Sequence, residues 1–253
     1  MNEDMNITEQ QLRQEAEFAD RHYASYANQL GVNPGMLEKY MHPKQLWDWR
    51  QYGAMQLGPV KGQSVLDLGC GMGEESVYFA LLGAEVTAID ISPVGIELVK
   101  KRAAHNGVAD RIRASAMRAD ETEFPDESFD VVHGFGILHH IGLAKGLSEV
   151  KRVLKPGGRG LFFEHMGNSA FIERLRKRAD YTEYEQPLRW KEIMAFRPQF
   201  SKYTAQPFHV FTRLRFMSGI FNRPLVKRFD RSALRMFPFL KNYAGGVVIC
   251  LQK

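Results

Sequence analysis

Cysteine is scarce in this 253-residue sequence, which contains only Cys70 and Cys250. So low a count excludes a disulfide-rich secreted domain and favours free thiols in a reducing compartment. Long apolar runs are also missing, because no stretch approaches the roughly 20 consecutive apolar residues of a membrane-spanning helix. The first residues, MNEDMNITEQQLRQEAEFAD, are acidic and polar, unlike a signal or transit peptide. We therefore expect a cytoplasmic protein.

Motifs for metals and phosphates are lacking as well. The sequence has no cysteine pair, and its histidines form neither an HExxH motif nor a cluster with carboxylates, so we expect no metal site. The stretch SVLDLGCGMGEE at 64–75 has no following Gly-Lys-Ser/Thr, which excludes a P-loop. It also fails the dinucleotide pattern, because the third glycine counted from Gly69 falls on Glu74. Glu74 and Glu75 would repel a pyrophosphate at the helix start, so we expect a ligand without phosphates.

Acidic residues are few in the second part of the chain. Residues 151–253 contain 21 Lys/Arg against 7 Asp/Glu, a balance of +14. Residues 1–150 contain 13 against 22, a balance of −9. A basic surface of this kind suits an anionic substrate, a membrane surface or nucleic acid, and it is equally typical of a solvated face without a partner.

What the sequence does contain is an alternation of short apolar runs with amphipathic segments, which predicts βαβ units and a parallel sheet. The predicted strands are 64–68, 85–90, 111–117, 129–134 and 159–165, with two further runs at 207–213 and 245–251. The predicted helices are 8–30, 35–57, 74–82, 93–106 and 144–154. Ser92 and Pro93 are an N-cap and a first-turn proline for the helix at 93–106.

The same pattern predicts the domain organisation. We expect one α/β domain over residues 58–253 and an N-terminal helical extension over residues 1–57. Beyond residue 165 the strand-helix pattern is interrupted, which predicts an insertion at about 166–206 after the fifth strand.

Four motifs occur in a fixed order over roughly residues 60–165: VLDLGCGMG, VTAIDIS, DESFDVVHGFGILHH and LKPGGRGLFFEH. Together they resemble the class I S-adenosylmethionine-dependent methyltransferases of the small-molecule type. The resemblance implies a seven-stranded, doubly wound, mostly parallel sheet with an N-terminal helical lid. It also implies S-adenosyl-L-methionine as cofactor and S-adenosyl-L-homocysteine as product.

Asp90 ends the second predicted strand, where a carboxylate can accept hydrogen bonds from both ribose hydroxyls. The resemblance places Asp67 near the cofactor's amino group, although a loop-stabilising role suits it nearly as well. It places Asp120 or the adjacent Glu121 on the adenine amino group, and His133 to Phe135 under the methionine part, mainly through their backbone. The predicted cofactor-binding residues are Asp67, Gly69, Cys70, Gly71, Gly73, Asp90, Ile91, Asp120, Glu121, His133 and Gly134.

Three histidines near the ends of strands four and five are candidate general bases: His139, His140 and His165. Histidine titrates near working pH, and a base is useful when the acceptor is a hydroxyl, less so for an amine or a carbon. Because the pair of adjacent histidines is common in similar enzymes whatever their acceptor, we expect one of the two to be architectural.

The predicted acceptor pocket has two walls. Similar small-molecule enzymes close an N-terminal helix over the pocket, which makes His22, Tyr23 and Tyr26 candidate substrate contacts, unless these aromatics simply pack on the sheet. Glu164 follows the fifth strand, where acceptor pockets open, and the insertion would form the other wall.

The segment 213–241 mixes arginines with Phe, Leu, Ile and Met. It suits contact with anionic lipid or with RNA phosphates, and also a helical layer packed on the core. The leading hypothesis is methyl transfer to a small molecule, hydrophobic or anionic, at O, N or C, with no nucleic acid as partner. The alternatives are a methyltransferase acting on RNA or protein, and a non-catalytic S-adenosylmethionine-binding protein.

Overall fold

The computed structural model describes residues 8–167, 188–211 and 224–253. Parts of the predicted insertion and of the basic segment 213–241 lie outside these ranges. The helices are α1 (Glu9–Ala24), α2 (Pro34–Met41), α3 (Trp49–Leu57), α4 (Glu74–Leu81), α5 (Pro93–His105), α6 (Leu138–Ile141), α7 (Leu143–Val153), α8 (Trp190–Ala195) and α9 (Pro224–Met236). Turns of 3-10 helix cover Ala109–Arg111, Arg197–Gln199 and Pro238–Tyr243.

The seven strands form one sheet in the order β3-β2-β1-β4-β5-β7-β6. They are β1 (Ser64–Leu68), β2 (Glu85–Asp90), β3 (Ile112–Ala116), β4 (Phe129–Phe135), β5 (Leu154–His165), β6 (Lys202–Phe208) and β7 (Gly246–Gln252). The first five strands are parallel, and β7 is antiparallel to β5 and β6. The prediction of a seven-stranded, mostly parallel, doubly wound sheet is confirmed. The strand order reverses between β1 and β4, which opens a crevice at their carboxyl ends.

Both faces of the sheet are buried, and successive residues of a strand enter different cores. Leu66 of β1 belongs to a core shared with Leu147 and Val150 of α7. Its neighbour Val65 belongs to a second core with Val77 of α4. Leu66, Leu147 and Val150 are fully buried, and each such side chain contributes about 1.5–3 kcal/mol to folding. The central strands are therefore rigid supports for the loops at their ends.

Two strands begin earlier than predicted. β5 begins at Leu154, which pairs with Phe129 before an irregularity in the register. β6 begins at Lys202, so residues 202–206 lie in the sheet and not in the predicted insertion. The neighbouring strand decides where each of the two strands begins. For example, β6 pairs with β7 residue by residue from Lys202 to Phe208. No local pattern carries that information.

The N-terminal helices are shorter than predicted. The predicted helix at 8–30 is α1, which begins after the N-cap Thr8 and ends at Ala24. The segment 35–57 is divided into α2 and α3, and Asp48 caps the second of them. The predicted cap Ser92 is confirmed, since its hydroxyl accepts from Gly95 N at 2.9 Å. Within the described ranges, the helices are too short or too polar to cross a membrane.

Candidate active site

A cavity opens at the carboxyl ends of β1, β2 and β4, where open α/β sheets bind ligands. Its walls are one face of α1, the segments that follow the first four strands, and part of α6. The lining residues are Gln11, Leu12, Glu15, Ala19, Tyr23, Gly69, Asp90, Ile91, Arg118, Ala119, Asp120, Phe135, Gly136, Ile137, His140 and Ile141.

Helix α1 covers the cavity with a single face. Gln11, Glu15, Ala19 and Tyr23 all line it, and residues four apart lie on the same side of a helix. Sequence reasoning missed the first three of these, although their regular spacing was the signal that could have found them. Of the predicted acceptor contacts on α1, Tyr23 alone lines the cavity.

The other two predicted acceptor contacts, His22 on α1 and Tyr26 in the turn after it, lie elsewhere. His22 is exposed, and its ring stacks with that of Phe18 and packs against that of Tyr26. These three residues are separated by four positions each, so they form a stripe of their own, different from that of Tyr23. His22 and Tyr26 as acceptor contacts therefore stay predictions without support from the cavity lining.

Two polar contacts hold α1 in place. Asp20 accepts hydrogen bonds from the hydroxyl of Ser92 and from Val94 N, at the start of α5. On the other side of the cavity, Oε2 of Glu15 lies 3.0 Å from Nδ1 of His140 on α6. The cover is thus attached at both edges of the crevice.

The glycine loop after β1 needs its glycines for two reasons. Gly69, Gly71 and Gly73 have φ of +68°, +53° and +77°, where other residues are strained. A Cβ at Gly71 would lie 3.3 Å from the hydroxyl of Tyr23, and one at Gly73 would lie 2.8 Å from Val99 of α5. Gly71 therefore keeps space under α1, whereas Gly73 allows close packing on α5, and Gly69 allows close approach of Ile137, which would lie 2.6 Å from its added Cβ.

Asp90 lies at the end of β2 and faces the cavity. One carboxylate oxygen accepts from Gly71 N at 2.8 Å and the other from Ser92 N at 2.9 Å. A carboxylate oxygen can accept two hydrogen bonds, so each retains capacity for a ligand hydroxyl. Burial raises the pKa of Asp90, although the two amide donors lower it.

Asp120 follows β3 and also lines the cavity, whereas its neighbour Glu121 is exposed. Arg118 donates two hydrogen bonds to its carboxylate, at 3.1 and 2.8 Å, and Lys145 donates one at 2.7 Å. Burial raises the pKa of Asp120, but these donors outweigh it and hold the pKa below its usual value. Of the two acidic residues considered from the sequence, the structure brings Asp120 to the site.

Asp67 and His133 are cross-strand partners on β1 and β4 and do not line the cavity. Their side chains point to the same face of the sheet, and Asp67 Oδ1 lies 2.8 Å from His133 Nδ1. The other oxygen accepts from the hydroxyl of Ser76 at 2.5 Å. Asp67 therefore has the loop-stabilising position that the sequence left open. Cys70, Gly73 and Gly134 lie beside the cavity without lining it.

Glu164 is fully buried at the end of β5. Its Oε1 accepts from the backbone amides of Ile137 and Leu138 at 3.0 and 2.9 Å, and its Oε2 lies 2.7 Å from Nδ1 of His139. Burial raises the pKa of Glu164, but its hydrogen bonds and the charge of His139 dominate and lower it. An ionised carboxylate only accepts, so Nδ1 of His139 carries the proton. Glu164, predicted as an acceptor contact, instead fixes the turn between β4 and α6.

The three candidate bases lie side by side but face different surroundings. His140 lines the cavity, whereas His139 is buried against it with ring centroids 4.3 Å apart. His165 is half-buried at the end of β5, with its ring 6.0 Å from that of His139. Of the three imidazoles, that of His140 is therefore the one that a ligand in the cavity would contact.

Glu74 and Glu75 do not act as the sequence suggested. Arg102 lies 3.2 Å from Glu74, and Arg50 and the hydroxyl of Tyr40 contact the buried carboxylate of Glu75. Their charges are therefore compensated, which removes the predicted repulsion of a pyrophosphate. The glycine spacing remains as the argument against a dinucleotide.

In the described part of the chain, no three His, Cys, Asp or Glu side chains are grouped closely enough to hold a metal ion. Cys70 and Cys250 carry free thiols. Arg118, Phe135 and Ile137 complete the cavity wall. Phe135 belongs to the stretch 133–135 that the resemblance placed at the cofactor, whereas Arg118 and Ile137 were missed from the sequence, because no motif distinguishes them from neighbouring loop residues.

Residues 65–158 match the model of a protein family described as a methyltransferase domain. Over these residues the chain is similar to that family. The chain is 39% identical over 112 residues to the demethylmenaquinone methyltransferase of Clavibacter sepedonicus, a match that covers 44% of each chain. It is 35% identical over 100 residues to the sterol 4-C-methyltransferase strm-1 of Caenorhabditis elegans, covering 39% of this chain and 30% of that protein. The match thus spans less than half the length of either relative.

The fold of the chain is similar to that of a solved geranyl diphosphate C-methyltransferase from Streptomyces coelicolor A3(2). The TM-score is 0.64 with 14% sequence identity, and the alignment covers 94% of this chain and 97% of the other. The chain therefore has the class I methyltransferase fold. The fold alone does not choose the acceptor.

Proposed function

We propose that this chain transfers a methyl group from S-adenosyl-L-methionine to a small, largely apolar molecule. The observation that carries the proposal is the cavity under α1, where Asp90, Gly69 and Asp120 meet at the strand-order reversal of a methyltransferase domain.

The residues of the cavity fit the cofactor. Asp90 would accept from the ribose hydroxyls, because both its oxygens have remaining capacity. Asp120 would accept from the adenine amino group, since Arg118 and Lys145 keep it ionised. The glycine loop leaves room for the remainder at Gly69. Asp67 and His133 would not contact the cofactor. They would support its site indirectly, by holding the ends of β1 and β4 in position.

When bound, S-adenosylmethionine supplies a methyl group activated by a positive sulfur, so the chain mainly has to hold the acceptor in line and exclude water. We propose that α1 provides the exclusion, as the lid within the N-terminal extension 1–57. His140 would take the proton of a hydroxyl acceptor, because it lines the cavity and has Glu15 at 3.0 Å to stabilise its charged form. His139 and Glu164 would position it.

An apolar acceptor suits the wall at the end of β4. Phe135 lines the cavity, its ring lies 5.5 Å from that of Trp49, and Trp49 lies 4.8 Å from His209 after β6. The relatives named for demethylmenaquinone, a sterol and geranyl diphosphate point in the same direction, since all three are small molecules with large apolar parts. The part of the predicted pocket wall formed by 168–187 lies outside the described residues.

Transfer to RNA is the second candidate, because residues 151–253 are strongly basic and phosphates attract such a surface. One experiment separates the candidates. The full chain is incubated with methyl-tritiated S-adenosylmethionine and an extract of its source cells, and the label is followed into organic-soluble, aqueous, RNA and protein fractions. The Asp90→Ala variant is the control for cofactor-dependent transfer.

Label in the organic-soluble fraction supports the proposal. Label in RNA or protein contradicts it in favour of a macromolecular acceptor. Binding of the cofactor by calorimetry with no label in any fraction favours the non-catalytic alternative.

A further inference from the structure

Helix α9 has an apolar stripe that faces solvent. Leu225, Phe229 and Met236 are 73%, 55% and 64% exposed, and their spacing of four and eleven residues places them on one side of the helix. Phe237 and Phe239, 50% and 61% exposed, continue this surface into the 3-10 turn. Large apolar side chains grouped in this way mark an interaction site.

The stripe is not the face by which α9 is attached to the protein. Ala233 is buried, and the buried Asp230 accepts from Phe211 N at 2.7 Å. Lys227 lies 3.6 Å from Asp48, and the guanidinium of Arg231 donates to Leu46 O. These contacts use the opposite side of the helix. Phe229 of the stripe also packs against Phe211 but stays largely exposed, as do Leu225 and Met236.

The charged side chains of α9 that reach solvent are basic. Its sequence PLVKRFDRSALRM has four basic residues and one acidic residue, Asp230, which is buried. Arg228 and Arg235 are exposed, and at 100° per residue they lie along the edge of the apolar stripe. Apolar residues bordered by arginines are the arrangement by which a helix lies in a bilayer interface, with its cations at anionic headgroups.

We propose that α9 and the turn Pro238–Tyr243 bind the surface of an anionic lipid bilayer. RNA fits this face less well, because phosphate contacts would leave the exposed Leu225, Phe229 and Met236 in water. An uncharged protein groove would offer no counter-charge to Arg235 or to Arg228, whose guanidinium lies 5.1 Å from the ring centroid of Trp47. The bilayer interface uses both features at once.

The location of α9 connects the proposed lipid contact with the cavity. His165 of β5 and Phe208 of β6 both pair with Gly246 of β7. The carboxyl ends of β5 and β6 therefore lie at the same end of the sheet, which is the end where the cavity opens. The hydrogen bond between Asp230 and Phe211 attaches α9 to the segment directly after β6.

Aromatic contacts run along this edge from the stripe to the cavity. The ring of Phe229 lies 5.3 Å from that of Phe211. Two residues earlier, His209 contacts Trp49, which in turn contacts Phe135 of the cavity wall. An apolar acceptor that leaves the bilayer would thus contact aromatic side chains between α9 and the cavity. This delivery role rests on the proposed function, whereas the lipid contact itself does not.

The test is co-sedimentation of the full chain with vesicles of phosphatidylcholine alone or with roughly a third phosphatidylglycerol. We expect several-fold more protein on the anionic vesicles, and loss of that excess when salt rises from about 0.1 to about 1 M, which shortens the Debye length from about 10 to 3 Å. The double variant Leu225→Glu/Phe229→Glu should bind at least about tenfold less.

The matched control is Met41→Glu/Met55→Glu, which adds the same charge at two exposed apolar residues of α2 and α3 and should bind like the wild type. Equal binding to both kinds of vesicle would overturn the proposal, as would full binding by the α9 variant. Gel filtration that shows a wild-type dimer and a monomeric α9 variant, without vesicle binding by either, would assign the face to a second copy of the chain. Retention of the wild type on RNA but not on vesicles would assign it to RNA.

Calorimetry with S-adenosylmethionine separates this proposal from the proposed function. The α9 variant should keep wild-type affinity for the cofactor, because the substituted residues lie outside the cavity. A wild-type chain that binds vesicles but not S-adenosylmethionine would leave the lipid contact standing and refute the methyl transfer.

Discussion

The imidazole of His139 and the carboxylate of Glu164 are 2.7 Å apart in a place where both side chains are buried. The same carboxylate accepts from the amides of Ile137 and Leu138, the residues that lead from β4 into α6. One glutamate therefore fixes both the orientation of His139 and the turn that brings His140 to the cavity. The site therefore depends on this pair, although Glu164 itself does not line the cavity.

Glu164→Ala should destabilise the fold by about 3–5 kcal/mol near neutral pH, because it leaves buried donors without a partner. Glu164→Gln should cost less, since its amide oxygen can still accept from the two backbone amides. The comparison is made by urea unfolding. The matched change Glu85→Gln, at a surface ion pair with Arg111, should stay within about 0.5 kcal/mol.

The stabilisation by Glu164 should also depend on pH. Its pKa is lowered in the folded protein from 4.5, so its contribution is complete above that value and is lost as pH falls through the folded pKa. The difference in unfolding free energy between wild type and Glu164→Gln should therefore shrink in acid. A difference that grows as pH falls would contradict the assignment of an ionised Glu164.

Asp90→Ala should weaken S-adenosylmethionine binding by about 1–3 kcal/mol in calorimetry, the loss of a buried charged acceptor. Burial raises the pKa of Asp90 from 3.8, so in the wild type affinity should already decline with falling pH above that value. Asp90→Asn should remove this pH dependence. Asp110→Ala, at an exposed carboxylate, is the control, and equal losses in both variants would refute the placement of the ribose.

Tyr23→Ala should reduce the affinity for S-adenosylmethionine about tenfold, or 1.4 kcal/mol, because the ring covers the glycine loop at Gly71. Tyr26→Ala removes an aromatic side chain of the turn directly after α1 that does not line the cavity, and it should bind like the wild type. The pair is compared by calorimetry. Similar losses in both variants would mean that α1 acts only through its stability.

His140→Ala should lower the turnover of a hydroxyl acceptor about 10²-fold, the usual contribution of a general base, with unchanged affinity for the cofactor. His165→Ala should have a smaller effect, because that side chain does not line the cavity. His105→Ala, at an exposed residue of α5, is the control in the same single-turnover assay. Full turnover of the hydroxyl acceptor by His140→Ala would refute the assignment of His140 as the general base.

Gly73→Ala should destabilise the fold by about 2–5 kcal/mol, since it adds left-handed strain to a clash with Val99 at 2.8 Å. Gly107→Ala has a similar φ, +70° against +77°, but nothing lies within 4 Å of the added Cβ. It should cost only the strain, about 1–2 kcal/mol. Urea unfolding of both variants isolates the packing contribution, and equal costs would show that the third glycine serves conformation alone.

The sequence by itself determined the central sheet. The bounds of β1 and β2 agree with the predicted strands, because apolar runs buried on both faces are limited by turn residues that can be read locally. The cap at Ser92 and the glycine turn after β1 are local in the same sense. Asp90, at the end of β2, could therefore be placed at the cavity from its position in the pattern, whereas Asp120 came from the family resemblance, which left Glu121 as an alternative.

Tertiary structure decided the rest. Whether Asp67 meets a ligand or His133 depends on the register of β1 with β4, and which of three neighbouring histidines lines the cavity depends on how Glu164 holds the turn before α6. The start of β6 is fixed by its pairing with β7, more than 40 residues further along the chain. These outcomes come from contacts between distant segments, and neither spacing nor residue type carries that information.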